Sequence, residues 1–315
     1  MMKRILSMIL TAALSVSLTA CGSTREPTTS QPNELAFTDS LGNLVVLEDA
    51  PERVAVLLGS YAEAWILAGG EDSLAAVTQD AFDERGLELK DEVVNLGQSH
   101  EPNLETLLAA QPDLVLLTPD LEGQRALEDS LESAGMDTAW FKVETFEDYL
   151  SMLEVFTTLT GREDLYQQNG LAVQARIEAV KEFAAGQEGP SILLLRAFSS
   201  NVKAKNSDNT AGVMLRDLGC ENIADSDAGL LEELQMESIL AADPEHIFVV
   251  TMGANTEKAL ENLNALFESD PAWQSLTAIR EGKVHVLDKG LFHYKPNARW
   301  GESYEVLAEI LYPQA

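Results

Sequence analysis

The 315-residue chain is short of several residue types, and each shortage removes a class of function. It carries 21 Lys and Arg against 52 Asp and Glu, for a formal net charge of −31. Sequence-independent nucleic-acid binding needs a basic surface that displaces counterions, and a polybasic membrane patch needs clustered Lys and Arg; the composition argues against both. Two cysteines, Cys21 and Cys220, are too few for a disulfide framework or a thiolate zinc centre. Four histidines without a two-His-plus-carboxylate spacing indicate no resident metal. No apolar run reaches the about 20 residues of a comfortable membrane span. G-x-S-x-G, P-loop and H-E-x-x-H motifs are missing too, so no catalytic constellation is supported. What remains is an acidic chain with 45% hydrophobic and 23% charged residues, an ordinary globular balance. At about 100–200 residues per domain, it has room for two.

The first residues read as an address. Met1-Met2-Lys3-Arg4 is a short positive segment, and Ile5 to Ala20 is mostly apolar but broken by Ser and Thr. Residues 1–20 therefore fit a secretory signal peptide. The run ends Leu18-Thr19-Ala20-Cys21-Gly22, which resembles the lipobox of bacterial lipoproteins. Small residues before the cysteine admit the peptidase, and the Cys21 thiol would take the lipid. Residues 21–36 are rich in Ser, Thr and Pro with little to bury, and are expected to be a flexible tether. Cys220 is then left as a small buried hydrophobe.

From residue 37 short apolar runs alternate with helical patterns. Arg53–Leu58 reads as a buried strand, Ala62–Ala68 as a helix stopped by Gly69-Gly70, and Leu74–Val77 as a strand. Leu114–Leu117 and Thr138–Phe141 follow as strands, with Glu122–Ala134 as one helix between them. This is the rhythm of parallel βαβ units. Two helical segments, Phe146–Thr160 and Asp164–Ala185, then follow with no strand between them, after which the alternation restarts at Ser191. The expected architecture is α/β: a lobe over 37–163, a single connecting helix over 164–188, and a second lobe over 189–315. The lobes share a phrase. Leu104-Glu-Thr-Leu-Leu-Ala-Ala-Gln-Pro-Asp-Leu-Val-Leu-Leu117 matches Met236-Glu-Ser-Ile-Leu-Ala-Ala-Asp-Pro-Glu-His-Ile-Phe-Val249, an amphipathic helix stopped before a proline that leads into a buried strand.

These phrases, with Thr38-Asp-Ser-Leu-Gly42, Pro51-Glu-Arg-Val54, Ser60-Tyr-Ala-Glu63, Leu215–Ala224 and Asp270-Pro-Ala-Trp273, resemble one family across roughly residues 37–313. It is the periplasmic-binding-protein family for ferric siderophores, haem and cobalamin, which serves ABC importers. The resemblance implies two Rossmann-like lobes joined by one long backbone helix, with a ligand cleft between them and modest lobe movement. It implies a monomer held to the outer face of the cell membrane by its lipid alone. It also implies an ABC permease as partner, met through one surface glutamate per lobe; by motif these map to Glu63 and Glu237.

In open α/β sheets ligands bind beyond the carboxyl ends of strands. Four loops qualify: Gly59-Ser60-Tyr61, Thr118-Pro119-Asp120, Ala197-Phe198-Ser199 and Leu291–Trp300. Cations are scarce, so their clustering there is informative: Arg196 ends a strand, Lys203 and Lys205 follow, and His293, Tyr294, Lys295, Arg299 and Trp300 gather in one loop. Tyr61, Arg196, Ser199, His293, Tyr294, Lys295, Arg299 and Trp300 are the candidate ligand-binding residues. Such a mouth suits an anionic iron complex, with Arg and Lys neutralising charge and aromatic rings packing on the ligand. A ferric siderophore is the first expectation. Haem is the rival, needing an axial residue such as His293, His100 or Met252, and cobalamin is a further one. A serine hydrolase of the penicillin-recognising type is a distant alternative. It rests on Ser200-Asn-Val-Lys203 and Ser207-Asp208-Asn209, which lie too close together and are followed by no K-T-G.

Overall fold

Residues 35–253 and 255–313 of the computed structural model are described. The signal segment, Cys21 and all but the end of the expected tether lie outside them. That tether ends earlier than residue 36, because Leu35 already opens a hairpin of β1 (Leu35–Thr38) and β2 (Leu44–Leu47), closed around the Asp39 carboxylate. The hairpin went unread because its alternating burial hides in two four-residue strands.

The first lobe is built on an all-parallel sheet of β3 (Val54–Val56), β4 (Leu74–Val77), β5 (Val94–Asn95), β6 (Leu114–Leu117) and β7 (Asp137–Trp140), in the order β5-β4-β3-β6-β7. The second is built on β8 (Ser191–Ala197), β9 (Val202–Lys205), β10 (Glu221–Asn222), β11 (His246–Thr251) and β12 (Val284–Leu287). There β10-β8-β11-β12 run parallel, and β9 returns antiparallel on β8. Strands β4, β6 and β11 are buried at every position, since helices cover both faces, which is why they read as unbroken apolar runs.

The helices that position the cleft are α1 (Gly59–Leu67), α2 (Leu104–Ala110), α3 (Phe146–Thr160), α4 (Ala172–Ala184), α5 (Thr210–Asp217), α6 (Met236–Ala242), α7 (Thr256–Ser269) and α8 (Trp300–Leu311). Between α3 and β8 the chain stays helical from Glu163 to Ala184, as expected, but with a π-turn over Gln167–Leu171 rather than as one uniform helix. Asn169 in that turn donates to Leu67 O, and Tyr149 donates to Asn169 O, so the irregularity is tied to both α1 and α3. The helix expected over Glu122–Ala134 is two short ones, Glu122–Arg125 and Glu128–Ser133. Gln124 breaks the run: its side chain turns inward to hold Thr118 N–H, Leu57 O and Ser99 O.

The repeated phrase is repeated in three dimensions. Helices α2 and α6 both end on a non-glycine residue in the left-handed region, Gln111 at φ 49° and Asp243 at φ 39°. Pro112 and Pro244 follow and prevent the helix from continuing. The acidic residue after each proline then accepts backbone N–H groups at the start of the neighbouring strand, Asp113 from Glu52 and Arg53, and Glu245 from Ser191.

Candidate functional site: a cleft with unlike walls

The carboxyl ends of β3, β4 and β6 face those of β8, β11 and β12 across a cleft of about 640 Å³. Two helices open towards it. Gly59 and Thr210 begin α1 and α5, neither of which has an acidic residue in its first turn. Both ends already hold an acceptor: the Asp80 carboxylate takes Gly59 N–H, and the Asn209 side chain takes Gly212 N–H.

The second-lobe wall is cationic. Arg196, Lys205 and Lys295 line it, and none has a carboxylate within 4.0 Å among the described residues. Burial lowers the pKa of Arg196, and that of Lys205, where the charges of Arg196 and Lys203 add to the effect. Burial also lowers that of Lys295, against the pull of Asp120 and Glu144. Like charges gathered in a part-buried place without counterions are costly unless a ligand completes them. His293 stands among them with its pKa pushed down to about 4 by burial and then by Arg196, Lys289 and Lys295, so it is neutral at pH 7. Met252, Phe292, Tyr294 and Asn206 also line this side, with Asp208 as its one carboxylate among the described residues.

Of the eight ligand residues expected from sequence, Arg196, His293, Tyr294 and Lys295 line the cleft, and four do not. Tyr61 is fully buried and donates to Phe141 O at 2.8 Å, a core role. Ser199 is exposed in a turn outside the cleft. Arg299 closes a two-point ion pair with Glu302 on its own helix, at 2.7 and 2.8 Å. Trp300 is fully buried against Phe146. Of the three axial candidates, His100 is exposed and outside the cleft, while His293 and Met252 line it.

Glu63 is not the free surface carboxylate expected of a docking residue. It is ion-paired with Arg85 and accepts a hydrogen bond from Asn297 Nδ2. Asn297 is fully buried, sits at φ 53° in the segment that carries the cleft residues, and also donates to Ser60 O at 2.8 Å. A second-lobe loop is thereby strapped to α1 of the first. Glu237, by contrast, is exposed in the first turn of α6, and Glu105 holds the same place in α2.

Sequence reasoning missed Glu84, Arg85 and Glu144 on the first-lobe wall. Glu84 and Arg85 follow the short helix Asp80–Asp83 at the carboxyl end of β4, a position from which they were recoverable. The hydrolase-like motifs have structural work. Ser207 Oγ donates to Asp225 at 2.6 Å, and Asn209 caps α5.

The profile of the periplasmic binding protein family matches residues 54–291. The chain belongs to that family. It is 23% identical over 302 residues to the probable siderophore-binding lipoprotein YfiY of Bacillus subtilis, covering 91% of each chain. Its fold is that of the siderophore-binding protein BauB, solved with two molecules of acinetobactin and ferric iron, at a TM-score of 0.72 and 19% identity over 90% of this chain and 100% of that one. It is equally that of a periplasmic heme-binding protein from Pseudomonas aeruginosa, at a TM-score of 0.69 and 21% identity over 84% and 94%. The family and its solved relatives are binding proteins, and this chain is one: not an enzyme, but a substrate-binding component of an uptake system.

Proposed function

We propose that this protein captures an anionic ferric siderophore complex in the interlobe cleft and hands it to an ABC permease. The observation that carries the reading is the trio Arg196, Lys205 and Lys295, three cations on one wall with no ion-pair partner among the described residues. An otherwise acidic protein can bind an anion where its field is locally reversed. The siderophore-binding relatives support the same chemistry. Titration of the purified protein with a ferric catecholate in a calorimeter tests it. Saturable binding with a Kd of about 1 μM or tighter is expected, as a few charge-assisted contacts supply. Absence of binding overturns the reading.

Haem is the second reading, favoured by the neutral imidazole of His293 and by Met252 on the same wall. It expects a Soret band on adding hemin that His293→Ala displaces. Permease docking belongs to Glu105 and Glu237 rather than Glu63, because the first two are exposed and occupy equivalent places in the two lobes. The lipobox supports lipidation at Cys21, and Cys21→Ala is expected to move the protein from the membrane fraction to the medium.

A further inference from the structure

The second-lobe wall, with three cations against the single carboxylate of Asp208, is net positive, and the first-lobe wall has the opposite balance. Asp80, Glu84, Asp120 and Glu144 line it, with Arg85 as its one cation, and Arg85 is already engaged by Glu63. Asp80 is also engaged: it accepts from Gly59 N–H at 2.7 Å and from Thr78 Oγ1 at 2.6 Å. Asp120 and Glu144 are not consumed in this way. They share one exposed lysine, Lys142, at 4.0 and 3.5 Å, and their side chains are 43% and 46% exposed. Glu84, beside Tyr294, has its carboxyl pKa raised by burial. Lys295 faces Asp120 and Glu144 from the other wall, yet no ion pair within 4.0 Å closes the gap, so the two walls hold their charges apart across open space.

A uniformly anionic ligand would gain on one wall and be repelled by the other. From the opposed walls of the cleft we infer that its ligand is bipolar: an anionic chelate that faces Arg196 and Lys205, carrying a cationic amine or guanidinium that faces Asp120 and Glu144. This inference rests on the reading of the cleft as a ferric-chelate site and adds the orientation and the second charge. Complementary potential of this kind fixes register and rejects wrong partners more than it raises raw affinity.

The test uses two probes, the ferric complex of a bis-catecholamide bearing a free primary amine and that of its N-acetyl derivative, titrated calorimetrically into the full protein. The amine form is expected to bind about tenfold tighter, the worth of one well-placed charge pair. That advantage should shrink as salt is raised from 50 to about 500 mM, since the acidic wall is solvent-accessible. In the double variant Asp120→Asn, Glu144→Gln the ratio should fall towards one, with thermal unfolding by circular dichroism confirming that the variant is folded. Equal affinities for the two probes in the wild type overturn the inference and leave the ferric-chelate reading standing. An amine preference that survives in the double variant overturns the assignment to this wall. If neither probe binds, the ferric-chelate reading fails and the inference falls with it.

Discussion

The two lobes are alike in plan and unlike where they face each other. Each has a parallel sheet and a helix ending in a left-handed non-glycine cap before a proline. In each, the acid after that proline ties down the start of the neighbouring strand. Away from the cleft their equivalent positions hold equivalent residues, Glu105 and Glu237 among them. At the cleft the correspondence ends: cations without a paired carboxylate among the described residues predominate on one wall, beside Asp208, and carboxylates predominate on the other, beside Arg85. The shared frame fixes where the strand ends lie. It does not dictate the sign of charge at the strand ends, which is free to follow the ligand.

The largest effect should come from reversing one wall. Arg196→Glu is expected to weaken binding of an anionic ferric catecholate by about 100-fold or more, because it removes a cation and adds a repelling charge in a part-buried place. Calorimetry reads this directly, and a loss below threefold would mean that the second-lobe wall does not bear the ligand's charge.

Next are the positions where the lobes match. Glu105→Arg and Glu237→Arg should each lower ligand uptake through the permease about tenfold without changing ligand affinity, and by similar factors. A large inequality between them would break the equivalence. Glu63→Gln is expected instead to lower the melting temperature, since it leaves Arg85 buried with a weakened partner.

The strap between the lobes gives a smaller change. Asn297→Ala removes the bonds to Ser60 O and Glu63 and should cost about 1–3 kcal/mol in denaturant unfolding. A cost under about 0.5 kcal/mol would mean that the lobes are held by the backbone helices alone.

The smallest effect is on pH dependence. His293 and His246 are both pushed by burial from 6.5 to about 4 in the folded chain. Below pH 6.5 the unfolded chain takes up protons that the folded chain refuses, so their contribution to stability is complete above that value and declines as pH falls towards 4. Glu84 acts in the opposite sense, its carboxyl raised by burial. The double variant His246→Gln, His293→Gln should therefore flatten the melting temperature between pH 6.5 and 4.5. An unchanged slope would place the effect elsewhere.

Much of this frame was legible in the sequence. Runs such as Leu114–Leu117 announce buried parallel strands because they are apolar at consecutive positions. The helix-to-proline phrases mark their own ends, and the scarcity of cations drew attention to Arg196 and Lys295. What failed to show were features set by distant partners. Tyr61 and Trp300 stand next to cleft residues in sequence, yet their rings turn into the core, where Phe141 and Phe146 meet them. From sequence Arg299 could face the ligand or pair with Glu302 one helical turn away, and the fold closes the pair. Glu63 matched a motif by position, while its true surroundings, Arg85 and Asn297, come from 22 and 234 residues away. The acidic wall was missed for a related reason: in a chain with 52 acids, the four that form it carry no signal until folding sets them opposite cations.

The side-chain amide of Asn297 is shared between Ser60 O and Glu63 on one lobe while its backbone belongs to the loop that carries His293 and Lys295. It is also sheltered from solvent. Its two amide protons are therefore slow to exchange and magnetically distinct, each sensing one first-lobe oxygen. Any ligand that shifts the loop by a few tenths of an ångström alters both. The same two protons, followed in a nitrogen-labelled spectrum during titration, would report any movement of this loop without a dye or a tag.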